Sequence, residues 1–183
     1  MKLIRGLLKI WFYIRVPWSN FIYRKDLVQH ELQGKDLINR TNFLNTLNNI
    51  VRNVYRNFCY TYDDIAVLFD AMHKPAQAYY DYMHNNFYDD CDGYHAAIYH
   101  ILSMNDYTSF LLTYLPTDIK QAHTVCYFIG DDNRYYLVDY KRIYVGETIH
   151  ECLAELADDR KIEICFYNTV VFDYEANKYR IVS

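Results

Sequence analysis

A cysteine set among acids, Asp89-Asp90-Cys91-Asp92-Gly93, opens a run in which Tyr94, Ala97, Ile98, Ile101 and Leu102 recur at helical spacing. That pattern predicts a helix with Cys91 in its first turn and Asp89 or Asp90 as its N-cap. A thiol there meets unpaired N–H groups and the positive end of the helix, which favour thiolate, the nucleophilic form. The neighbouring carboxylates push the other way, so they must turn aside or an imidazolium must outweigh them. Cys91 also reads as a small buried side chain near a helix start, a common place for a cysteine.

A thiol enzyme needs an imidazole to take the proton and return it, and a polar group to fix the imidazole's tautomer. His123 opens one strand-like run and Asp139 closes the next. Directly opposed residues of an antiparallel pair have a constant sum of positions. The sum that opposes His123 to Asp139 also pairs Ile129 with Asn133, or Phe128 with Arg134. A loop of three or five residues therefore puts both side chains on one face, and a loop of four puts them on opposite faces. The expectation is the odd loop, with Asn133 left-handed in a bulged turn. His95 competes as base from one turn after Cys91, where it leaves little room for substrate. His73, His84, His100 and His150 show no partner pattern.

These residues must be held by a scaffold, and the rest of the chain supplies one. Residues 1–26 form a basic segment of charge +5, leaving -9 for the remainder of a chain whose net charge is -4. On a helical wheel Leu3, Ile4, Leu7, Leu8, Trp11 and Ile14 share one face and Lys2, Arg5 and Lys9 the other. Such a helix either covers the domain's own core with its charges outward, or serves a peripheral membrane surface or a protein partner. Pro17 breaks the pattern, and residues 20–34 carry no clear one. A long helix is expected from Lys35 to Phe58, a second over 63–72 and a short third over 76–83. Strands are expected over 108–115, 122–129 and 134–140, a helix over 147–158, and closing strands over 161–173 and 178–182. Helices first and a mainly antiparallel sheet later define an α+β domain occupying 27–183.

The 183 residues suit one domain. Five cysteines, an odd number without CxxC spacing, argue against a disulfide framework and for a reducing, cytoplasmic setting, with the basic segment allowing peripheral membrane attachment. His95 and His100 do not share a helix face, and the DDCDG run lacks EF-hand offsets, so no metal and no other cofactor is expected. The 21 tyrosines are spread along the chain without basic interleaving, and the net charge is acidic, so nucleic acid is not an expected partner.

Cysteine at a helix start, histidine at a strand start 32 residues later and aspartate at the end of the next strand resemble the transglutaminase-like cysteine proteinase superfamily of papain-like folds. The resemblance is closest to the bacterial transglutaminase-like cysteine proteinases. It covers about residues 42–140, through Asp90-Cys91-Asp92-Gly93-Tyr94, Ala122-His123-Thr124-Val125 and Tyr136-Leu137-Val138-Asp139. It implies Cys91 as nucleophile, His123 as general acid and base, and Asp139 as orienter. Asn85, with Gln77 as second choice, would be the side-chain donor to the oxyanion, beside the N–H of Cys91. The implied reaction is acyl transfer on a peptide or protein amide, as a peptidase, an amidase or a transglutaminase. The tryptophan that this group often carries before the motif is absent, with Ala71, Met72, His73 and Lys74 preceding Pro75. That absence motivates the other expectation, a non-catalytic papain-fold module docked through residues 1–26.

Overall fold

In the computed structural model, which describes residues 2–23, 37–61 and 71–182, helices come first and a six-stranded sheet follows. The order is α1 (Lys2–Ile22), α2 (Phe43–Asn57) after a 3-10 turn at Arg40–Asn42, β1 (Cys59–Tyr60), α3 (Pro75–Met83), β2 (Tyr88–Asp89) and α4 (Cys91–Met104). Then follow β3 (Ser109–Pro116), β4 (His123–Ile129), β5 (Tyr135–Asp139), β6 (Arg142–Gly146), α5 (Ile149–Arg160), β7 (Ile164–Asp173) and β8 (Lys178–Ile181). The large sheet runs β6-β5-β4-β3-β7-β8 with every pair antiparallel, while β1 and β2 form a short parallel ladder. The molecule is an α+β protein, as its pattern predicts.

Helix α4 is the centre. Every residue from Asp92 to Leu102 is buried, and a helix that is apolar nearly all round belongs inside. Its interior polar groups are partnered: Asp92 meets Arg15, and His100 Nδ1 meets the Tyr174 hydroxyl at 3.0 Å. On one side lie α2, whose Leu47, Val51 and Val54 face inward, and α3, opened by Pro75 at its first turn. On the other lies the sheet face of Leu111, Cys126, Phe128 and Val138. Each large apolar side chain so covered contributes about 1.5–3 kcal/mol. The opposite sheet face, with Leu112, Tyr114, Val125 and Leu137, is covered by Cys152, Leu153 and Leu156 of α5.

Several expectations need correction. Helix α2 begins at Phe43 rather than Lys35, and Leu37 and Leu44 are 45% and 46% exposed. Strand β6, unforeseen, pairs with β5 along its length and forms the sheet edge. Of the expected helix over 63–72, residues 63–70 lie outside the described residues, as do 24–36 of the segment before α2. Helix α1 continues through Pro17, because the carbonyl this proline leaves without a donor belongs to Tyr13, and both residues are exposed, where water can satisfy it.

Where its side chains are described, helix α1 docks through Arg15, Val16 and Ser19, which are buried, while Ile14, expected on the inner face, points out. Asn20 brackets the backbone of β8, donating to the Tyr179 carbonyl at 3.0 Å and accepting from its N–H at 2.7 Å. Ser19 Oγ accepts the Met72 N–H at 2.9 Å and donates to Arg15 O at 2.8 Å. No described helix is long and apolar enough to cross a membrane.

Candidate functional site at the end of the sheet

The acids around Cys91 are each committed elsewhere. Asp90 caps α4, its carboxylate accepting the Asp92 N–H at 2.9 Å. Asp89 accepts the Asp90 N–H at 2.8 Å and lies 3.2 Å from His73 Nδ1. It also explains Gly93, because a Cβ there would fall 1.9 Å from the Asp89 carboxylate. Asp92 turns into the protein, where Arg15 meets it at 2.9 Å and the His73 N–H at 3.2 Å. Cys91 is half-buried, and its sulfur receives the Thr124 N–H at 3.5 Å.

That contact sets the thiol beside the peptide following His123. No hydrogen bond joins Cys91 to His123 among the described residues. Burial pushes the Cys91 thiol well above its ordinary value, and Asp90 and Asp92 add to the rise. The Thr124 N–H and the Arg15 guanidinium oppose it. Of the two opposed influences expected, the helix end and the neighbouring carboxylates, the second together with burial prevails, and the shift favours the thiol.

His123 and Asp139 do meet. The β4–β5 loop holds five residues, 130–134, with Asn133 at φ 60°, as expected. The register is one pair away from direct opposition: Cys126 faces Val138 and Ile129 faces Tyr135, so His123 and Asp139 are diagonal neighbours on one face. Their reach spans the offset, and His123 Nε2 lies 3.0 Å from Asp139 Oδ1 with both residues buried. Burial raises the Asp139 carboxyl, but the His123 hydrogen bond and the charges of His123 and Arg160 outweigh it and hold it below the usual range. An ionised Asp139 selects the tautomer with its proton on Nε2, leaving the Nδ1 lone pair as the base. Burial lowers His123 against the pull of Asp139, so the ring is neutral at neutral pH.

Arg160 escaped the sequence reading. It ends α5 and grips Asp139 with two hydrogen bonds, of 2.7 Å from Nε and 2.5 Å from its terminal nitrogen. The signal was present, since Cys152, Leu156 and Arg160 share one helical stripe, the first two buried. Thr148 starts that helix by accepting the Glu151 N–H at 3.2 Å, and left-handed Lys161 stops it one residue after Arg160. Tyr114, opposed to His123 on β3, was missed too. Its ring packs edge-on 5.7 Å from the imidazole, and its buried hydroxyl has no hydrogen-bond partner among the described residues.

His95 is engaged at both ring nitrogens. Its Nδ1 lies 2.5 Å from the Cys91 carbonyl and its Nε2 accepts the Tyr140 N–H at 3.2 Å, so the ring spans from the cysteine's turn to the residue after Asp139. Tyr140 has φ 48°, and the Tyr94 hydroxyl holds its carbonyl at 3.0 Å. Its ring lies 5.2 Å from that of His123. Burial pushes His95 down to about 3. The unfolded chain then binds a proton that the folded one refuses, and stability falls as pH drops from about 6.5 toward 3. His95→Gln, whose amide offers one donor and one acceptor, is expected to flatten that fall. Melting temperatures at pH 7 and pH 4 check this, and an unchanged acid loss in the variant would refute it.

The ligand atoms of His95, His123 and Asp139 lie within 4.8 Å of one another, the spacing of a metal site. Each is already engaged, however, by the Tyr140 N–H or within the imidazole–carboxylate pair, and the Arg160 guanidinium balances the carboxylate. The donor set fits proton transfer better than a cation. Asn85 is exposed and left-handed in the turn after α3, and Gln77 donates to Asp81 at 3.0 Å one turn on. Neither hydrogen-bonds Cys91 among the described residues. Scans against family models, curated proteins and solved structures return no match for this chain.

Proposed function

We propose that the protein is a cysteine-dependent acyl transferase acting on amides, a peptidase or amidase by hydrolysis or a transglutaminase by aminolysis, on a papain-like core. The observation that carries this reading is the buried His123–Asp139 pair at 3.0 Å, on strands beside the helix that begins with Cys91. Cys91 Sγ attacks the amide carbonyl as His123 Nδ1 takes the thiol proton. The N–H groups at the start of α4 hold the oxyanion. His123 returns the proton to the departing amine, and water or a second amine resolves the thioester. A raised thiol means that attack and proton transfer must be concerted.

Acetyl transfer from p-nitrophenyl acetate, mapped by peptide mass spectrometry, tests this. Cys59 and Cys165 are exposed and serve as ordinary thiols in the same tube. Cys91 should acylate faster than either at pH 7. One feature favours a second reading, a non-catalytic module: the half-buried thiol is pushed up by desolvation and by Asp90 and Asp92. On that reading Cys91 acylates more slowly than both controls.

A further inference from the structure

Over residues 10–22, helix α1 buries Arg15 and Ser19 beside Val16 and turns most of its described apolar side chains outward. Arg15 (5% exposed) and Ser19 (1%) face in, whereas Ile10 (55%), Tyr13 (50%), Ile14 (49%) and Phe21 (55%) face out. These outward residues, with exposed Pro17, recur at three- and four-residue steps and form one continuous stripe. Leu3 and Leu7 continue the same sector of the wheel in sequence. A helix whose only task was to close the core would have the opposite arrangement. Charge names the occupant. Residues 2–23 contain no acid, and on the wheel Lys2 and Lys9 fall along one edge of the stripe, with Arg5 farther round toward the docked side. Arg15, the remaining cation, is consumed by Asp92.

We infer that α1 is an interfacial helix that seats the domain on an anionic lipid surface, its stripe in the headgroup–acyl boundary and its basic flank on lipid phosphates and carboxylates. A second copy is a poorer fit, because stripe-to-stripe pairing would line up the basic flanks of two helices. The inference is independent of the thiol chemistry, since it uses the face of α1 turned away from the site.

Both tryptophans of the chain, Trp11 and Trp18, are in α1, so their emission reports on this helix alone. The full chain is titrated with vesicles of phosphatidylcholine, with and without phosphatidylserine, and binding is read from the blue shift and from co-sedimentation. The expected result is binding to the phosphatidylserine vesicles that weakens with salt. Ile10→Asp/Ile14→Asp should lower the affinity at least about tenfold, because each burial is worth more than about 1.4 kcal/mol. Both positions are exposed, so the variant keeps its fold, which circular dichroism verifies. Failure to bind, equal binding to uncharged vesicles, or binding that the double variant retains would overturn the inference. So would a dimer in light scattering that the double variant dissolves without any vesicle binding, because the second copy would then be the occupant.

Discussion

Arg15→Met is expected to lower stability by about 3–5 kcal/mol, the usual consequence of stripping one partner from a buried ion pair. For a chain of this size that corresponds to a fall of about 6–20 °C in melting temperature. The guanidinium lies 2.9 Å from Asp92, and both side chains are almost fully covered. It also reaches Thr124 Oγ1 at 3.4 Å, so α1, α4 and β4 are joined at one point. Burial and Asp90 push the Asp92 carboxyl well above the usual range, and Arg15 and His73 oppose only part of the rise. Without Arg15 the folded carboxyl binds its proton more tightly still. The deficit should therefore be small below about pH 4 and grow as pH rises. Adding Asp92→Asn keeps an acceptor for the His73 N–H but removes the charge, and the double variant should recover most of the loss. Thermal melts of the two single variants and the double at pH 4 and pH 7 decide it. An unchanged melting temperature in Arg15→Met would mean that α1 does not hold the domain in this way.

His123→Ala should slow acylation of Cys91 about 10²- to 10⁴-fold, the range that general base catalysis supplies. The fold should survive, because Arg160 still grips Asp139 through two hydrogen bonds. The pH profile separates two routes to the nucleophile. If His123 takes the proton during attack, the rate levels off below about pH 6.5, since burial lowers the imidazole. If free thiolate reacts unaided, the rate keeps climbing past about pH 8.5, since burial raises the thiol. Imidazole added to His123→Ala, entering the vacated space, should restore part of the rate. Equal rates in wild type and variant would leave the second, non-catalytic reading.

Much of the site was legible because it rests on local rules. An N-cap at Asp89 or Asp90, of which Asp90 serves, Cys91 in the first turn and an odd loop with left-handed Asn133 all follow from caps, helical spacing and turn chemistry. Those rules act over a few residues, so the chain alone carries them. The register was read to within one pair, and parity mattered more than the pairing itself: a slip of two positions keeps both side chains on one face, and the imidazole's reach covers the difference. Strand β6 was missed because β5 and β6 are separated by only Tyr140 and Lys141, and the left-handed Tyr140 gives no glycine signal.

The sequence by itself determined the class of the fold, the start of the central helix and the facing of His123 toward Asp139, since period, caps and loop parity are properties of short stretches. Tertiary structure decided the electrostatics. That the thiol rises rather than falls, that Arg160 completes the His123–Asp139 pair and that Arg15 faces Asp92 each depend on desolvation and on charges brought from up to 77 residues away. It also decided which face of α1 docks. Both faces of an amphipathic helix can find a partner, and the buried Asp92 carboxylate, with the backbone of Met72 and Tyr179, chose the polar one.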